Sequence, residues 1–158
     1  MLSMQYIRPA TANDYSRIAE IYVINNRMVY FPIFKNARFS FVELQVSSYE
    51  KKLLHGKYDH IYVYDDGIIK GFVIVKGDEI QKLHVDYFFQ NQGIGSLLLD
   101  HAIHGCNAKF LWTLQKNLRA IQFYKHHNMK ITDMVRPVNG PSKHSELAVK
   151  IIFEDNNK

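Results

Sequence analysis

From Val85 to Leu99 the chain reads Val-Asp-Tyr-Phe-Phe-Gln-Asn-Gln-Gly-Ile-Gly-Ser-Leu-Leu-Leu. A strand-like segment runs into Gly93-Ile94-Gly95, and a leucine-rich helical stretch begins at once. Glycines let a backbone come close to a ligand and take conformations closed to other residues. The first N–H groups of a helix have no intrahelical partner and carry the positive end of its dipole. Together these features suit an anion, and a pyrophosphate in particular. Taken alone, Gly93-x-Gly95 reads equally well as a tight strand-to-helix connection. A P-loop would need Gly-Lys-Ser/Thr, and Gly95 is followed by Ser96 and Leu97. A dinucleotide fingerprint would place a third small residue at Leu98, and an acidic residue near Leu111, Trp112 and Thr113.

Other polar residues offer weaker signals. Asn117 and Tyr124 fall nearly in line on one helix face, with Asn117 suited to cap its start. Tyr124, beside Phe123, reads by itself as a packed aromatic. Cys106 follows Gly105 with His104 nearby; a Cys–His nucleophile is an option in principle, and packing at a helix end is the simpler reading. His101 with His104, and His126 with His127, lack a carboxylate to complete a metal set, so no metal site is expected.

The elements that must position these residues follow from periodicity. Tyr6–Pro9 predicts a short strand, and Thr11-Ala12-Asn13-Asp14 offers capping oxygens before a helix marked by Tyr15, Ile18, Ile21 and Tyr22. An aromatic segment over 28–42, interrupted by Pro32, leads to a second helix over 41–55 that ends near Gly56. Strands His60–Tyr64, Ile68–Lys76 and Glu79–Val85 are joined by Asp65-Asp66-Gly67 and Gly77-Asp78 turns. Helix Ser96–His104, strand Phe110–Leu114, helix Leu118–His127, and strands Lys130–Val135 and Glu146–Phe153 complete the order β-α-α-β-β-β-α-β-α-β-β. This is a mixed α/β sheet rather than a doubly wound one.

A chain of 158 residues fits one domain with a sizeable core, and 47% hydrophobic with 22% charged residues is an ordinary globular balance. The net charge of +5 suits an anionic partner such as a nucleotide cofactor. Lysines and arginines are scattered rather than gathered on one face, which disfavours nucleic acid. No apolar run reaches the roughly 18–20 residues of a membrane span. The N-terminal residues lack a signal layout, and the single cysteine excludes a disulfide framework, so a cytoplasmic protein is expected.

Two segments taken together carry a resemblance. Gln90-Asn91-Gln92-Gly93-Ile94-Gly95 and Asn117-Leu118-Arg119-Ala120-Ile121-Gln122-Phe123-Tyr124 resemble the paired signatures of the GNAT superfamily of N-acetyltransferases. These are Gln/Arg-x-x-Gly-x-Gly/Ala and Asn-x-x-Ala-x-x-Phe-Tyr. Ile7-Arg8-Pro9-Ala10, with Asp14 and Ile18, also resembles the family's opening strand and helix. One position departs: Asn128 stands where glycine is usual, and asparagine is the common substitute at a left-handed helix end.

The resemblance implies one domain over residues 1–154, a charged tail over 155–158, and a largely antiparallel sheet splayed between its fourth and fifth strands. It further implies acetyl-CoA as co-substrate, no metal, and direct acetyl transfer to a primary amine without an acyl-enzyme. The implied cofactor contacts are Leu83, His84 and Val85 on the strand, Gln90, Asn91, Gln92, Gly93, Ile94, Gly95 and Ser96 at the turn, and Asn117, Ala120 and Tyr124 on the later helix. In that scheme the Leu83 N–H faces the thioester carbonyl, Val85 holds the pantetheine amides, and Tyr124 protonates the departing thiolate.

Counting back along the family pattern puts a general base at Glu79. Period-2 alternation predicts Glu79, Gln81, Leu83 and Val85 on one face, with Ile80, Lys82 and His84 on the other. A solvated carboxylate at a turn is the competing reading of Glu79. His84 is the rival base, reached if a bulge re-aims it. The acceptor side would be built by Asn25–Phe41 and Arg136–Ser145, whose aromatics suit either an amine cradle, core packing or a homodimer face. A small-molecule amine is the expected acceptor, since no second domain grips a macromolecule. A protein or peptide N-acetyltransferase and a non-catalytic acyl-CoA sensor are the alternatives.

Overall fold

The structure, a computed structural model, describes residues 2–138 and 146–155. Strand β1 (Ile7–Pro9) passes through a single 3-10 turn, Ala12–Asp14, into helix α1 (Tyr15–Val29). The Thr11 N–H donates to the Asp14 carboxylate at 2.8 Å, as the capping oxygens predict. Arg8 binds that carboxylate through both terminal nitrogens and reaches Asp65 as well, fastening the start of α1 to the sheet. This guanidinium holds the Asp14 carboxyl below the usual carboxylate range.

Helix α2 (Phe31–Phe34) is one turn that ends at Lys35 in the left-handed region, φ 54°. The single helix expected over 41–55 is two pieces, a π-turn (Phe39–Glu43) and α3 (Val46–His55), separated by extended Leu44 and Gln45. The cause is tertiary: Arg27 on α1 donates to the Ser40 and Leu44 carbonyls, taking acceptors a continuous helix would use.

Strands β2 (His60–Asp65), β3 (Ile69–Lys76) and β4 (Glu79–Val85) form a meander whose turns hold Gly67 at φ 113° and Gly77 at φ 59°. Helix α4 (Ile94–Asp100) continues as a π-turn (His101–Gly105), then β5 (Phe110–Leu114), α5 (Leu118–His126), β6 (Met129–Val138) and β7 (Glu146–Phe153). Strand β6 runs past the expected Val135 and includes Pro137. It is the last strand of the sheet, an edge where a missing N–H is tolerated.

The seven strands lie in the order β1-β2-β3-β4-β5-β7-β6, and all pairs are antiparallel except β4 with β5. That parallel pair is held only through Glu79–Phe110 and Ile80–Leu111, so the sheet splits beyond Ile80 as expected. Helices α4 and α5 cover one face with Val73, Val75, Ile80, Leu98 and Leu111. Helices α1 and α3 cover the other with Ile18, Ile21, Val63, Phe72 and Ile74. Each such large side chain contributes about 1.5–3 kcal/mol by leaving water. No helix among the described residues is long and apolar enough to cross a membrane.

One expectation about the faces of β4 is overturned. Ile74 pairs with Lys82 and Val75 with Ile80, which leaves Gln81 as an inserted residue. An inserted residue shifts the period-2 alternation by one. Ile80, Leu83 and Val85 therefore share the α4 face, and Glu79 falls on the α1 face with Lys82 and His84.

Candidate active site

The split between β4 and β5 opens a cavity of about 670 Å³. The Asp86 N–H donates to Lys70 O at 2.8 Å, so by alternation the N–H and C=O groups of Leu83 and Val85 point away from β3 into the split. The Val85 carbonyl accepts from Asn25 Nδ2 at 2.6 Å and Gln90 Nε2 at 3.1 Å. With both lone pairs of the Val85 carbonyl engaged, the strand offers a ligand the N–H groups of Leu83 and Val85 and the Leu83 carbonyl.

The glycine turn is set by a chain of contacts. Arg17 binds Asp86 at 2.5 Å, and Asp86 caps the 3-10 turn Tyr87–Phe89 by accepting from the Phe88 N–H at 2.9 Å. Asn91 then takes φ 63° and Gly93 φ 91°, a left-handed pair that reverses the chain into α4. The first α4 bond is Leu97 N–H to Gly93 O, so the N–H groups of Ile94, Gly95 and Ser96 have no helical partner. Arg119 on α5 donates to Asn91 Oδ1 at 3.1 Å and brings a guanidinium to the mouth. His127 Nδ1 lies 2.7 Å from Phe123 O and Nε2 2.7 Å from Ser96 Oγ. Because a carbonyl only accepts, the Nδ1 carries the hydrogen, and in the neutral ring the Ser96 hydroxyl donates to Nε2.

Helix α5 starts where Asn117 Oδ1 accepts from the Ala120 N–H at 3.3 Å, which confirms Asn117 as its cap. One turn from its end, Tyr124 is 8% exposed, and its hydroxyl has no hydrogen-bond partner among the described residues. Burial, reinforced by neighbouring Tyr30, pushes this phenol up from its ordinary range, so it remains a proton donor. Burial and the charge of Lys82 push the His84 imidazole down to about 3, and it stays neutral between Tyr22 and Phe72.

Leu83, His84, Val85, Gln90, Asn91, Gly93, Ile94, Gly95, Ser96, Asn117, Ala120 and Tyr124 all line the one cavity. Gln92 is exposed on the turn and does not. Glu79 does not either: it sits at the closed end of the split, paired with Phe110 and Lys76. Among the described residues no Asp or Glu lines the cavity. Of the aromatic rings in the segment 28–42 Tyr30 lines it, beside Val29, while Phe31 packs on Phe41 at 5.1 Å and Phe34 on Tyr30 at 5.9 Å. Within the expected acceptor loop Arg136–Ser145, residues 139–145 lie outside the described residues. Cys106 is buried in the core on the α4 face.

Sequence reasoning reached Asn25 and Tyr30 only as part of the acceptor segment Asn25–Phe41, and missed Lys82, Trp112 and Arg119 as lining residues. Asn25 and Asn26 carried a readable signal, two amides on the buried stripe of α1, both 4% exposed. Lys82 carried none, because alternation pairs it with His84 without showing that the sheet opens beside them.

The acetyltransferase (GNAT) domain family matches residues 57–128. The peptidyl-lysine N-acetyltransferase YjaB of Salmonella typhimurium is 31% identical over 62 residues, which span 39% of this chain and 43% of that protein. The match thus covers under half the length of that curated relative. The solution structure of apo YjaB from Escherichia coli superposes with a TM-score of 0.75 at 18% identity, over 92% of this chain and 95% of that one. The structure of yncA from Salmonella typhimurium with its cofactor acetyl-CoA gives 0.62 at 20% identity, over 96% and 95%. The matched segment spans β3, the split strand β4, the glycine turn and α5, and over nearly its whole length the chain shares the fold of these acetyltransferase structures.

Proposed function

We propose that this protein transfers the acetyl group of acetyl-CoA to the primary amine of a small molecule, by direct attack within a ternary complex. The observation that carries the reading is Tyr124, which lines the same cavity as the glycine turn and the free edge of β4 and whose hydroxyl has no hydrogen-bond partner among the described residues.

The residues present fit the co-substrate. Three adjacent N–H groups at Ile94, Gly95 and Ser96, with Arg119 beside them, suit a pyrophosphate, and the edge of β4 suits an amide-bearing arm. Bound there, acetyl-CoA supplies an activated acyl group and a thiolate leaving group. The Leu83 N–H is preset to take charge developing on the acyl oxygen, an arrangement that needs no reorganisation during reaction. Tyr124 holds its proton through the physiological range and donates it to the departing sulfur. The amine's own proton passes to water, since among the described residues no carboxylate lines the cavity and Glu79 stands outside it. Coenzyme A complexes of structural neighbours such as PaiA N-acetyltransferase from Thermoplasma acidophilum support the co-substrate.

A second reading, acetylation of a peptidyl lysine, is favoured by the activity of the relative YjaB. A non-catalytic acyl-CoA sensor would not need Tyr124 or an open acceptor end. The test is a calorimetric titration with acetyl-CoA beside an NADH control, followed by thiol release with a panel of small amines and a lysine peptide. Binding of acetyl-CoA, with release driven by small amines, is the expected result. Absence of acetyl-CoA binding by folded protein refutes the proposal, and release with the peptide alone transfers it to the second reading.

A further inference from the structure

Resting on the transferase reading, we infer that the amine acceptor carries an anionic group, a carboxylate or a phosphate, which Lys82 binds at the end of the cavity next to Tyr30. Lys82 lines the cavity on the same strand face as His84, in regular register with Ile74 of β3. Its Nζ lies 5.2 Å from the centre of the Tyr22 ring, which is stacked at 3.9 Å on buried Tyr49 and so is a fixed wall. Among the described residues no carboxylate pairs with Lys82.

Position along the cavity separates this cation from the cofactor phosphates. Lys82 precedes Val85 by three residues of strand, roughly 10 Å from the glycine-turn end. Its charge is felt by the Tyr30 phenol, and Tyr30 in turn is close enough to act on Tyr124. The cation therefore stands on the acceptor side of the reacting groups.

An acceptor that fills this space strips water from the ammonium. A desolvated charge is costly unless the ligand brings a counter-charge, and a second cation on the acceptor would be repelled. Asn25 supplies the complementary group. Its Nδ2 is committed to Val85 O, which fixes its orientation, and its Oδ1 is buried in the cavity wall without a partner. That oxygen can accept only, as an amine N–H requires. A cation and an isolated acceptor in one aromatic-walled space match a zwitterion, not a polyamine.

The test uses the full chain with acetyl-CoA and matched acceptors: phenylalanine with phenylalaninamide, phosphoethanolamine with ethanolamine, and spermidine. A hydrogen bond to a charged partner predicts kcat/KM at least about tenfold higher for the acidic member of one pair. Which pair shows the effect distinguishes carboxylate from phosphate. Lys82→Gln should bring the ratio to within about twofold, and Lys82→Arg should keep most of it. A wild type that prefers amides or spermidine, or a preference that survives Lys82→Gln, overturns the inference.

A readout without turnover separates it from the transferase reading. Calorimetry of N-acetylphenylalanine and N-acetylphenylalaninamide, and of N-acetylphosphoethanolamine and N-acetylethanolamine, against the coenzyme A-saturated protein should favour the acidic member of a pair in the wild type only. If that preference appears with no thiol release from any amine, the transferase reading fails and the anion site stands. If thiol is released and no pair discriminates, the anion site fails alone.

Discussion

Removing the Tyr124 hydroxyl isolates its chemical role with little structural disturbance. The ring is buried among core residues, and the hydroxyl has no hydrogen bond to lose among the described residues. Tyr124→Phe should therefore change stability by less than about 1 kcal/mol, the net worth of a typical hydrogen bond. General-acid catalysis contributes about 10²–10⁴ in rate, or about 3–5.5 kcal/mol of barrier. The assay is single-turnover thiol release at saturating acetyl-CoA, where kcat should fall at least about a hundredfold with acetyl-CoA affinity within about threefold. Glu79→Gln is the companion variant. Outside the cavity, that carboxylate should matter by less than about threefold. A Tyr124→Phe enzyme that keeps its kcat, or a Glu79→Gln enzyme that loses it, would refute this assignment of roles.

The two glycines of the turn should respond unequally. Gly93 sits at φ 91°, so Gly93→Ala meets about 1–2 kcal/mol of backbone strain and should lower Tm by roughly 2–8 °C and weaken acetyl-CoA binding. A Cβ on Gly95 would lie 3.4 Å from Phe123, near ordinary contact, so Gly95→Ala should be no less stable than wild type; greater damage at 95 than at 93 would refute the account of the turn. His84 is held down to about 3, below the 6.5 of the unfolded chain. Its contribution to stability is thus complete above pH 6.5 and shrinks as pH falls, because the unfolded chain takes up the proton first. The loss is about 1.4 kcal/mol per pH unit, or about 2 kcal/mol at pH 5, and His84→Phe should flatten the fall in Tm between pH 7 and 5. An identical slope in that variant would contradict a buried neutral imidazole.

Much of the cofactor side was legible locally. Gly93-Ile94-Gly95, the Asn117 cap and the helical spacing to Tyr124 depend on backbone conformations and helix periods that extend over a few residues, and short-range sequence determines those. The strand meander was legible for the same reason, with glycine turns at 67 and 77 between alternating runs.

Tertiary structure decided what depends on distant partners. The helix expected over 41–55 is broken by Arg27, on another helix. Strand β6 outruns its expected end because Pro137 lies on an edge, and edge status is a property of the whole sheet. The faces of β4 were misassigned because the Gln81 bulge arises from register against β3, and an alternation count cannot register an inserted residue. That one residue turns Glu79 to the face opposite Leu83 and Val85, while the split between β4 and β5 leaves Lys82 in the cavity wall. Local sequence sets the backbone of the glycine turn, with Gly93 left-handed before α4, whereas register between strands, a long-range property, sets which side chains of β4 share a face.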